Sequence, residues 1–385
     1  MIYLLVEFLD ELVFGVGEAA WPLIRNDLGL NYFQIGLAIS LPGVLGNIIE
    51  PFLFILSDVW KRRVIVLLGG AFFTASLLFT ATSTTFYLLL FSFILFNPAS
   101  GAFVGLSQAS LMDAAPTRHE QNMARWTFAG SLGVVFGPLL LGGLALINWG
   151  WRPAYWVLAS LSTLILLAAF KRLPRSRTTS NDFPLPRAYF ESLRTALSAL
   201  KNGLVLRWLV LLEFSDLMLD ILHGFLALYL VDVMNLSAAN AAFVLAVYTG
   251  IGLLGDFLLI PLLERVRGLD YLRVSVILEC VLFPLFLLSS ILWVKLILLG
   301  LIGLFVVGWY AILKANLFSS MQGQSGTAQA LGSISGIVGK LIPLGIGLVA
   351  QAHGLQTAMW LLLGGPLALL IGLPRRHTNS PISNL

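Results

Sequence analysis

The chain has 385 residues, of which 58% are hydrophobic and only 11% are charged. A soluble globular protein of this length carries about 25% charged residues, so this composition excludes a water-soluble fold and predicts an integral membrane protein. The formal net charge of +4 does not indicate nucleic-acid binding, because the basic residues are distributed as the membrane topology requires. We expect a chain that contacts the lipid bilayer and no nucleic acid.

Twelve hydrophobic runs of about 20 residues follow one another along the chain. This length suits α-helices that cross a hydrocarbon core about 30 Å thick, whereas barrel strands are about half as long. The predicted fold is an all-α membrane protein with twelve transmembrane helices. The run centres lie near Phe14, Gly46, Phe73, Ala99, Val135, Ser162, Leu219, Gly250, Phe283, Phe305, Gly339 and Leu363.

The first run, residues 1 to about 24, carries Glu7, Asp10, Glu11 and Glu18, which an apolar span should avoid. It lacks a basic leader, so we expect a retained helix and not a signal peptide. At 3.6 residues per turn the four acids fall within about a third of the helix circumference. An ionised carboxylate at the bilayer centre costs roughly 2.5 kcal/mol or more, so such residues usually mark an ion, proton or substrate path.

The acidic stripe returns at an offset of 206 positions, which places Glu7 on Glu213 and Asp10 on Asp216. Asp220 and His223 continue the second face at helical spacing. Such a repeat predicts two pseudo-symmetric six-helix bundles related by an axis along the membrane normal, with a shared site between them. Further matches at this offset are Glu50 with Asp256, Asp58 with Glu264, Gly46 with Gly252, Gly130 with Gly336 and Gly133 with Gly339.

The repeat also divides the chain. We place the two bundles at residues 1–171 and 206–375, a cytoplasmic linker with an interfacial helix at 172–205, and a cytoplasmic tail at 376–385. Basic residues follow the even-numbered runs, while only Arg25, Arg152 and Lys295 fall in the opposite loops. By the positive-inside rule, both termini and the linker are cytoplasmic, and we expect a multi-pass protein of the cell (inner) membrane.

Charged residues within the runs are candidates for proton coupling or substrate binding. Closely spaced buried carboxyls repel one another, which poises them to take up and release protons. Asp10 and Asp216 are the best pair, since both lie deep and duplicate one another. Glu50 and Asp256 have an alternative role as structural locks with Lys340 or Lys314, and a lone histidine such as His223 is more often a packing residue. The predicted set is Glu7, Asp10, Glu11, Glu18, Glu50, Asn97, Glu213, Asp216, Asp220, Asp256, Lys314 and Lys340.

Several runs contain proline, and two of these prolines carry a structural prediction. Pro98 follows Asn97 in the fourth run and removes one backbone hydrogen bond, which favours a kink or a break that lines a site. Gly137-Pro138 in the fifth run follows Gly130 and Gly133. Glycines at this spacing let a neighbouring helix approach closely. Whether the segment serves only this tight packing or also has a functional role is equally open.

The loop after the second run contains Asp58, Arg62 and Arg63, and its shifted copy contains Glu264 and Arg265. This loop resembles the signature loop of the major facilitator superfamily, although Phe54 and Lys61 replace its usual glycines. The Gly137-Pro138 segment is similar to the glycine-proline motif of drug-proton antiporters in that superfamily. The resemblance implies gating roles for Asp58, Arg62, Arg63, Glu264, Arg265, Gly137 and Pro138.

The first 140 residues resemble the fosmidomycin-resistance-like branch more closely, through Glu7-Phe8-x-Asp10-x-Leu12, Gln34-Ile35-Gly36-Leu37 and Gly137-Pro138-Leu139-Leu140. The resemblance implies a proton-driven exporter of drugs or small metabolites, and a monomer. Glu7 and Asn97 stand where that branch tends to carry histidine.

The predicted function is a secondary active transporter that exports small molecules against inward proton flow by alternating access. Alternatives are a proton-coupled uptake symporter, a metal or organic-cation transporter that uses the acidic stripe, and a transport-dead sensor or scaffold. The sequence has no phosphate-binding loop and only one cysteine, Cys280. We therefore expect no enzyme activity, no cofactor and no cysteine metal site.

Overall fold

The computed structural model describes residues 1–59, 61–113, 119–173, 201–320, 331–332 and 335–374. The described residues are almost entirely helical and include no β-strand. Within them, eleven helical stretches are long and apolar enough to cross a membrane. The first helix, which carries the acids, is equally long and brings the described spans to the predicted twelve.

The first six spans form one helical bundle. The fourth span is divided by a π-helical turn, Gly101–Gly105, into two α-helical parts. The bounds are α1 Ile2–Leu28, α2 Tyr32–Val59, α3 Arg62–Thr82, α4 Phe86–Ser100 with Leu106–Asp113, α5 His119–Leu146 and α6 Arg152–Arg172.

The last six spans form the second bundle. The seventh is divided by a π-helical turn, Leu217–Ile221, and the twelfth contains a 3₁₀ turn, Trp360–Leu363. The bounds are α7 Gly203–Ser215 with Leu222–Asp232, α8 Ala238–Leu263, α9 Gly268–Leu288, α10 Leu292–Phe305 with Trp309–Ser320, α11 Ser335–His353, and α12 Leu355–Met359 with Gly364–Gly372.

The π-helical turn in α4 begins three residues after Pro98. Proline lacks a backbone N–H, so one hydrogen bond of the preceding turn is lost at Pro98. The chain nevertheless stays α-helical through Pro98 to Ser100, and the irregular turn lies beyond the Asn97-Pro98 step at which a kink or break was predicted. No proline accompanies the π-helical turn of α7. Such single turns occur frequently at functional sites in helices, because they rotate the residues that follow them.

Glycines bring α5 against α1. A Cβ atom placed on Gly133 would lie 2.5 Å from the carbonyl oxygen of Phe8, and one on Gly137 would lie 2.6 Å from the backbone nitrogen of Val16. Real Cβ atoms do not approach backbone this closely, so only glycine permits the contact. The close approach predicted from the glycine spacing is present, and α1 is the helix that uses it.

The two bundles meet along α2 with α11 and along α5 with α8. A Cβ on Gly36 would lie 2.7 Å from the carbonyl oxygen of Pro343, and one on Gly347 would lie 2.5 Å from that of Tyr32. In the second contact, the ring of Phe243 packs over Gly142. The bundles therefore touch through backbone on one side of the molecule, with side chains between them elsewhere.

Large apolar side chains cover the outside of both bundles. Leu164 is 64% exposed, Leu258 is 65% exposed and Ile297 is 65% exposed. A water-soluble protein rarely exposes contiguous apolar surface of this extent, whereas lipid tails cover it in a membrane protein. The predicted linker and tail fall mainly on 174–200 and 375–385, which lie outside the described residues.

Candidate functional site

A cavity of about 520 Å³ lies between the two bundles. Its walls come from α1 to α6 on one side and from α7 and α11 on the other. Sites for small organic molecules usually have volumes of about 300–1,000 Å³, so this cavity is large enough for one. It is also where the sequence repeat predicted a shared site.

Five carboxylates line the cavity. Glu11 and Glu18 project from α1, and Glu213, Asp216 and Asp220 project from α7. Both α1 and α7 therefore present carboxylates to the cavity, although Glu7 and Asp10, the α1 residues that the repeat duplicates, do not line it. The first bundle adds an aromatic surface that has no counterpart on the α7 wall. Its members are Phe14, Trp21, Phe93, Phe96 and Tyr155.

Lys340 of α11 is the only lysine or arginine among the described residues that line the cavity. Its ammonium nitrogen lies 3.5 Å from Oδ2 of Asp220, and it interacts electrostatically with Asp216 and Glu213 as well. The stem of Lys340 crosses Gly43 of α2, where a Cβ would lie 3.0 Å from its Cδ. The cavity is therefore acid-rich, with one ammonium among the acids of α7.

Glu213 lies between α7 and the start of α11. The hydroxyl of Ser335 donates a hydrogen bond of 2.8 Å to its Oε1, while Oε2 is buried with no hydrogen-bond partner among the described residues. Gly339 lies beside that oxygen, where a Cβ would collide with it. The unpaired oxygen is a natural place for a proton or a ligand donor, because an unsatisfied buried carboxylate oxygen is costly.

His223 also lines the cavity, although the sequence favoured a packing role for it. Its Nδ1 lies 3.5 Å from Oε2 of Glu18, and its ring meets the Tyr248 ring edge-on at 4.9 Å between centroids. Its helical spacing from Asp216 and Asp220 was therefore a better guide to its position than the usual role of a lone histidine. The pair with Glu18 joins the two bundles across the cavity.

Asp10 does not line the cavity but lies behind its wall, with 7% of its surface exposed. The hydroxyl of Ser100, at the end of the first part of α4, donates a hydrogen bond of 2.8 Å to Oδ1 of Asp10. Asp10 and Asp216, which the sequence paired as equivalents, therefore have different surroundings. On α1 it is Glu11, one residue further, that faces the cavity.

Glu50 and Asn97 flank the same part of α4. Asn97 lines the cavity and packs on Gly46 of α2, and the Glu50 carboxyl packs on Gly101 at the start of the π-helical turn. Glu50 interacts electrostatically with Asp10 and with Lys340. A layer of polar side chains thus continues from the cavity wall into the first bundle.

Three further predicted residues lie away from the cavity. Glu7 is 8% exposed and packs on Gly130 of α5, so it is buried inside the first bundle. Asp256 is exposed on α8. Lys314 is hydrogen bonded to the hydroxyl of Tyr310, over whose ring it lies at 4.8 Å from the centroid. The structure brings none of the three into the cavity lining.

We call the side of the membrane on which α1 ends the distal side. There, Arg25 of α1 and Asp232 of α7 form an ion pair, and the hydroxyl of Tyr32 donates a hydrogen bond of 2.6 Å to Asp232. The backbone N–H of Tyr32 donates to Gln351 at 3.1 Å. These contacts connect the two bundles beyond Trp21, so the cavity is closed on the distal side.

A sequence model described as Major Facilitator Superfamily matches residues 3–343 of the chain. The chain belongs to this superfamily. The structure also confirms the twelve spans in two six-helix bundles that the hydrophobic runs and the sequence repeat predicted.

Superfamily relatives with curated names align over different lengths. The fosmidomycin resistance protein of Escherichia coli (strain K12) is 23% identical over 252 residues, which cover 64% of this chain and 61% of that protein. An uncharacterized MFS-type transporter of Yersinia pestis is 28% identical over 50% of this chain and 53% of that protein. The chain thus spans about half to three fifths of these two relatives. The quinolone resistance protein NorA of Staphylococcus aureus (strain MSSA476) is 22% identical and aligns over 96% of this chain and 95% of its own.

Among solved superfamily structures, the nucleoside transporter NupG superposes with a TM-score of 0.76 at 15% identity, covering 97% of each chain. At this identity the likeness concerns the fold alone. The chain is therefore a multi-pass membrane protein of a transporter superfamily, with relatives named for drug resistance.

The residues of the superfamily signature loop are only partly described. Arg63 donates a hydrogen bond of 2.6 Å to the carbonyl oxygen of Phe170, at the end of α6. Glu264 and Arg265 are exposed at the end of α8. The side chain of Asp58 lies outside the described residues. Their gating roles, like that of Arg62, therefore stay predictions.

No group of three or more His, Cys, Asp or Glu side chains within the described part of the chain is arranged to hold a metal ion. The acids of the cavity are instead distributed over two helices, with Glu11 and Glu18 on α1 and Glu213, Asp216 and Asp220 on α7. Such a surface is able to bind protons, a cationic group or water, and its carboxylates repel one another when all are ionised.

Proposed function

We propose that this chain is a secondary active transporter that exports small molecules in exchange for inward-moving protons. The observation that carries the proposal is the cavity between the bundles, lined by carboxylates of α1 and α7 and by one ammonium. In an exchanger, one set of groups must bind protons in one state and substrate in the other. Neighbouring carboxylates supply this property, because each bound proton relieves repulsion between them.

The contacts between bundles support alternating access. The distal side is closed by side-chain contacts at Arg25, Tyr32 and Asp232 and by the α2–α11 backbone contact. Polar side-chain contacts of this kind can break and re-form as rigid bundles rock about a fixed site. The bundles proposed for this motion are residues 1–171 and 206–375, with the linker at 172–205 and the tail at 376–385.

Within the cavity, Glu11 and Asp216 are the proposed proton carriers. Asp10 lies behind the cavity wall and assists them from there, with its carboxylate accepting a hydrogen bond from Ser100. Glu213 offers an oxygen that has no hydrogen-bond partner among the described residues. Aromatic side chains of the first bundle supply the apolar surface for the substrate body. We propose a monomer in the cell (inner) membrane, with both termini in the cytoplasm, as the distribution of basic residues favours.

The test is substrate-triggered proton movement in liposomes that contain the purified protein and an internal pH dye. Pools of cationic, anionic and neutral compounds are added in turn. The account expects one pool to move protons, and expects Glu11→Gln and Asp216→Asn to abolish the signal. Asp270→Asn is the matched control, because Asp270 pairs with Arg273 at the start of α9, away from the cavity.

A proton signal that is unchanged in both cavity variants would contradict the proposed carriers. Substrate movement without protons would contradict the coupling and leave the acids as a binding surface. No flux of any pool under any gradient would favour the alternative of a transport-dead sensor or scaffold.

A second candidate is a transporter of organic cations without proton exchange. The excess of five carboxylates over one ammonium in the cavity favours it. A metal-ion transporter is less favoured, because the acids in the described residues are not grouped as metal ligands. Saturable cation uptake that is insensitive to the pH gradient would distinguish this candidate from the exchanger.

A further inference from the structure

Two polar pairs join α1 to α7. Glu18 meets His223, with Oε2 and Nδ1 3.5 Å apart, and Arg25 meets Asp232. Residues seven positions apart on a helix lie about two turns apart on the same face, so Glu18 and Arg25 point at α7 together. The two pairs form a short ladder between the bundles.

The ladder occupies a particular position relative to the cavity. Glu18 and His223 line it, whereas Arg25 and Asp232 lie beyond it at the distal end of the two helices. Of the two pairs, Glu18–His223 is thus the one that a proton or substrate in the cavity can reach. Its strength affects whether α1 and α7 can separate on the distal side.

Charged and titratable groups surround His223 from several helices. Glu18 faces it from α1, and Asp220 lies one turn away on α7 itself and is paired with Lys340 of α11. Tyr248 of α8 covers the ring edge-on. From α2, the apolar side chain of Ile39 approaches Gly224, the residue after His223. Glu11 of α1 also lines the cavity, further from the distal side.

We propose that His223 is a proton-binding site of this transporter, and that a proton bound there holds the distal side closed. The neutral imidazole offers Glu18 at most one hydrogen bond. The protonated ring is a cation with two donors, so its pairing with the carboxylate is both charged and shorter. Histidine is also the side chain that ordinarily changes charge between pH 5 and 8.

The sign of this effect fits the proposed exchange, on which this part of the inference rests. A carrier that brings protons inward must close its distal side while the proton is bound, so that the proton is released on the opposite side. Loss of the proton to the opposite side would weaken the Glu18–His223 pair and allow α1 and α7 to part. The substrate-loaded carrier could then open distally, because no proton strengthens the ladder.

The test measures the distal separation of the bundles without any substrate. Cys280 is replaced by Ser, and spin labels are attached at Asn26→Cys, near the end of α1, and Asn240→Cys, at the start of α8. Both positions are exposed and lie on opposite bundles. Distance distributions are recorded between pH 6 and pH 8.5, and the variants of His223 and Glu18 separate the contribution of this pair from that of the other cavity carboxylates.

We expect the ratio of short to long distances to fall about fivefold or more as the pH rises, within the usual range of coupling between sites. His223→Gln and Glu18→Gln should each remove at least half of that change. His223→Lys, which keeps a positive charge, should stay closed throughout. His353→Gln is the matched control, because His353 is exposed at the distal end of α11 and should behave like the unmodified protein.

Three results would overturn the inference: no pH response in the unmodified protein, an undiminished response in both His223→Gln and Glu18→Gln, or closure that grows as the pH rises. The outcome is separable from that of the proposed function. A distance response of the expected sign without any proton flux in liposomes supports the site and contradicts the exchange. Proton flux without the distance response supports the exchange and contradicts the site.

Discussion

The ammonium nitrogen of Lys340 lies 3.5 Å from Oδ2 of Asp220, where α11 meets α7. Both side chains are open to the cavity, with exposed fractions of 41% and 67%. Because α7 and α11 belong to the same bundle, this pair does not hold the bundles together. It offsets one of the five carboxylates instead, and so helps to set the charge that a substrate meets.

Replacing Lys340 with Gln should change ligand charge preference and leave the fold intact. An exposed ion pair contributes about 0–1 kcal/mol to stability, so the melting temperature should fall by no more than about 3 °C. Loss of one positive charge should strengthen binding of tetraphenylphosphonium and weaken binding of tetraphenylborate, each by about fivefold at low salt. Competition binding at two salt concentrations measures both changes.

Lys61→Gln provides the control for that substitution, because Lys61 is exposed between α2 and α3. Its two affinities should match those of the unmodified protein. Equal shifts for both ions in Lys340→Gln would show that the lysine acts through packing on Gly43 and not through charge.

Breaking the distal ion pair should let reagents into the cavity from the distal side. Arg25→Gln removes the partner of Asp232, and Tyr32→Phe removes the second donor to the same carboxylate. In a Cys280→Ser background, a cysteine at Thr80, which lines the cavity, should react with a membrane-impermeant maleimide several-fold faster in both variants. An unaltered labelling rate in both would mean that these side chains do not close the distal side.

Gly36 should tolerate no side chain, because a Cβ there would lie 2.7 Å from the carbonyl oxygen of Pro343. Gly36→Ala must push α2 away from α11, at a cost of about 1–3 kcal/mol to the distally closed state. Thr80→Cys labelling should therefore accelerate as it does in Arg25→Gln. Gly250→Ala on α8 is the control, since no atom lies within 4 Å of a Cβ at that position.

Ser100→Ala should destabilise the protein, because it removes the hydroxyl that donates to the buried Asp10. A buried carboxyl that loses its donor costs about 1–3 kcal/mol, which thermal unfolding in detergent can detect. Ser160→Ala should have little effect, since within the described part of the chain that exposed hydroxyl bonds only to the Trp156 carbonyl of its own helix. Equal melting temperatures for both variants would contradict a structural role for the Ser100 contact.

The sequence was sufficient for the fold, for physical reasons that apply to each span. Runs of about 20 apolar residues have one stable form in a bilayer, because every backbone polar group must be satisfied within the segment. The acids of α1 and α7 were also informative, since carboxylates in such runs must face protein or water. The positions of Glu11, Glu18, Glu213, Asp216 and Asp220 in the cavity lining satisfy that constraint.

The sequence did not distinguish the cavity from the interior of a bundle. Asp10 and Glu11 are neighbours in α1, yet Ser100 binds the first inside the bundle and the cavity receives the second. Helical phase alone gives the direction in which a side chain points, but not which helix or cavity lies in that direction. For the same reason the sequence could assign Glu50, Asp256 and Lys314 to membrane spans but could not place them outside the cavity lining.

The repeat was a weaker guide to roles than to architecture. After Asp216, α7 contains a π-helical turn at Leu217–Ile221 that has no counterpart in α1. Such a turn accommodates one extra residue and rotates everything beyond it. This rotation accompanies the presence of His223 on the cavity wall, and no pattern in the sequence marks the π-helical turn, since it contains no proline.

The most direct test of proton-coupled export uses a compound that passes the liposome screen. Vesicles containing the protein are loaded with equal compound concentrations on both sides, and a pH gradient alone is imposed. Exchange predicts that the compound moves towards the acidic side, opposite to the protons, and that a protonophore or Asp216→Asn abolishes the movement. Movement of the compound together with the protons, or no movement under the gradient, would contradict the account.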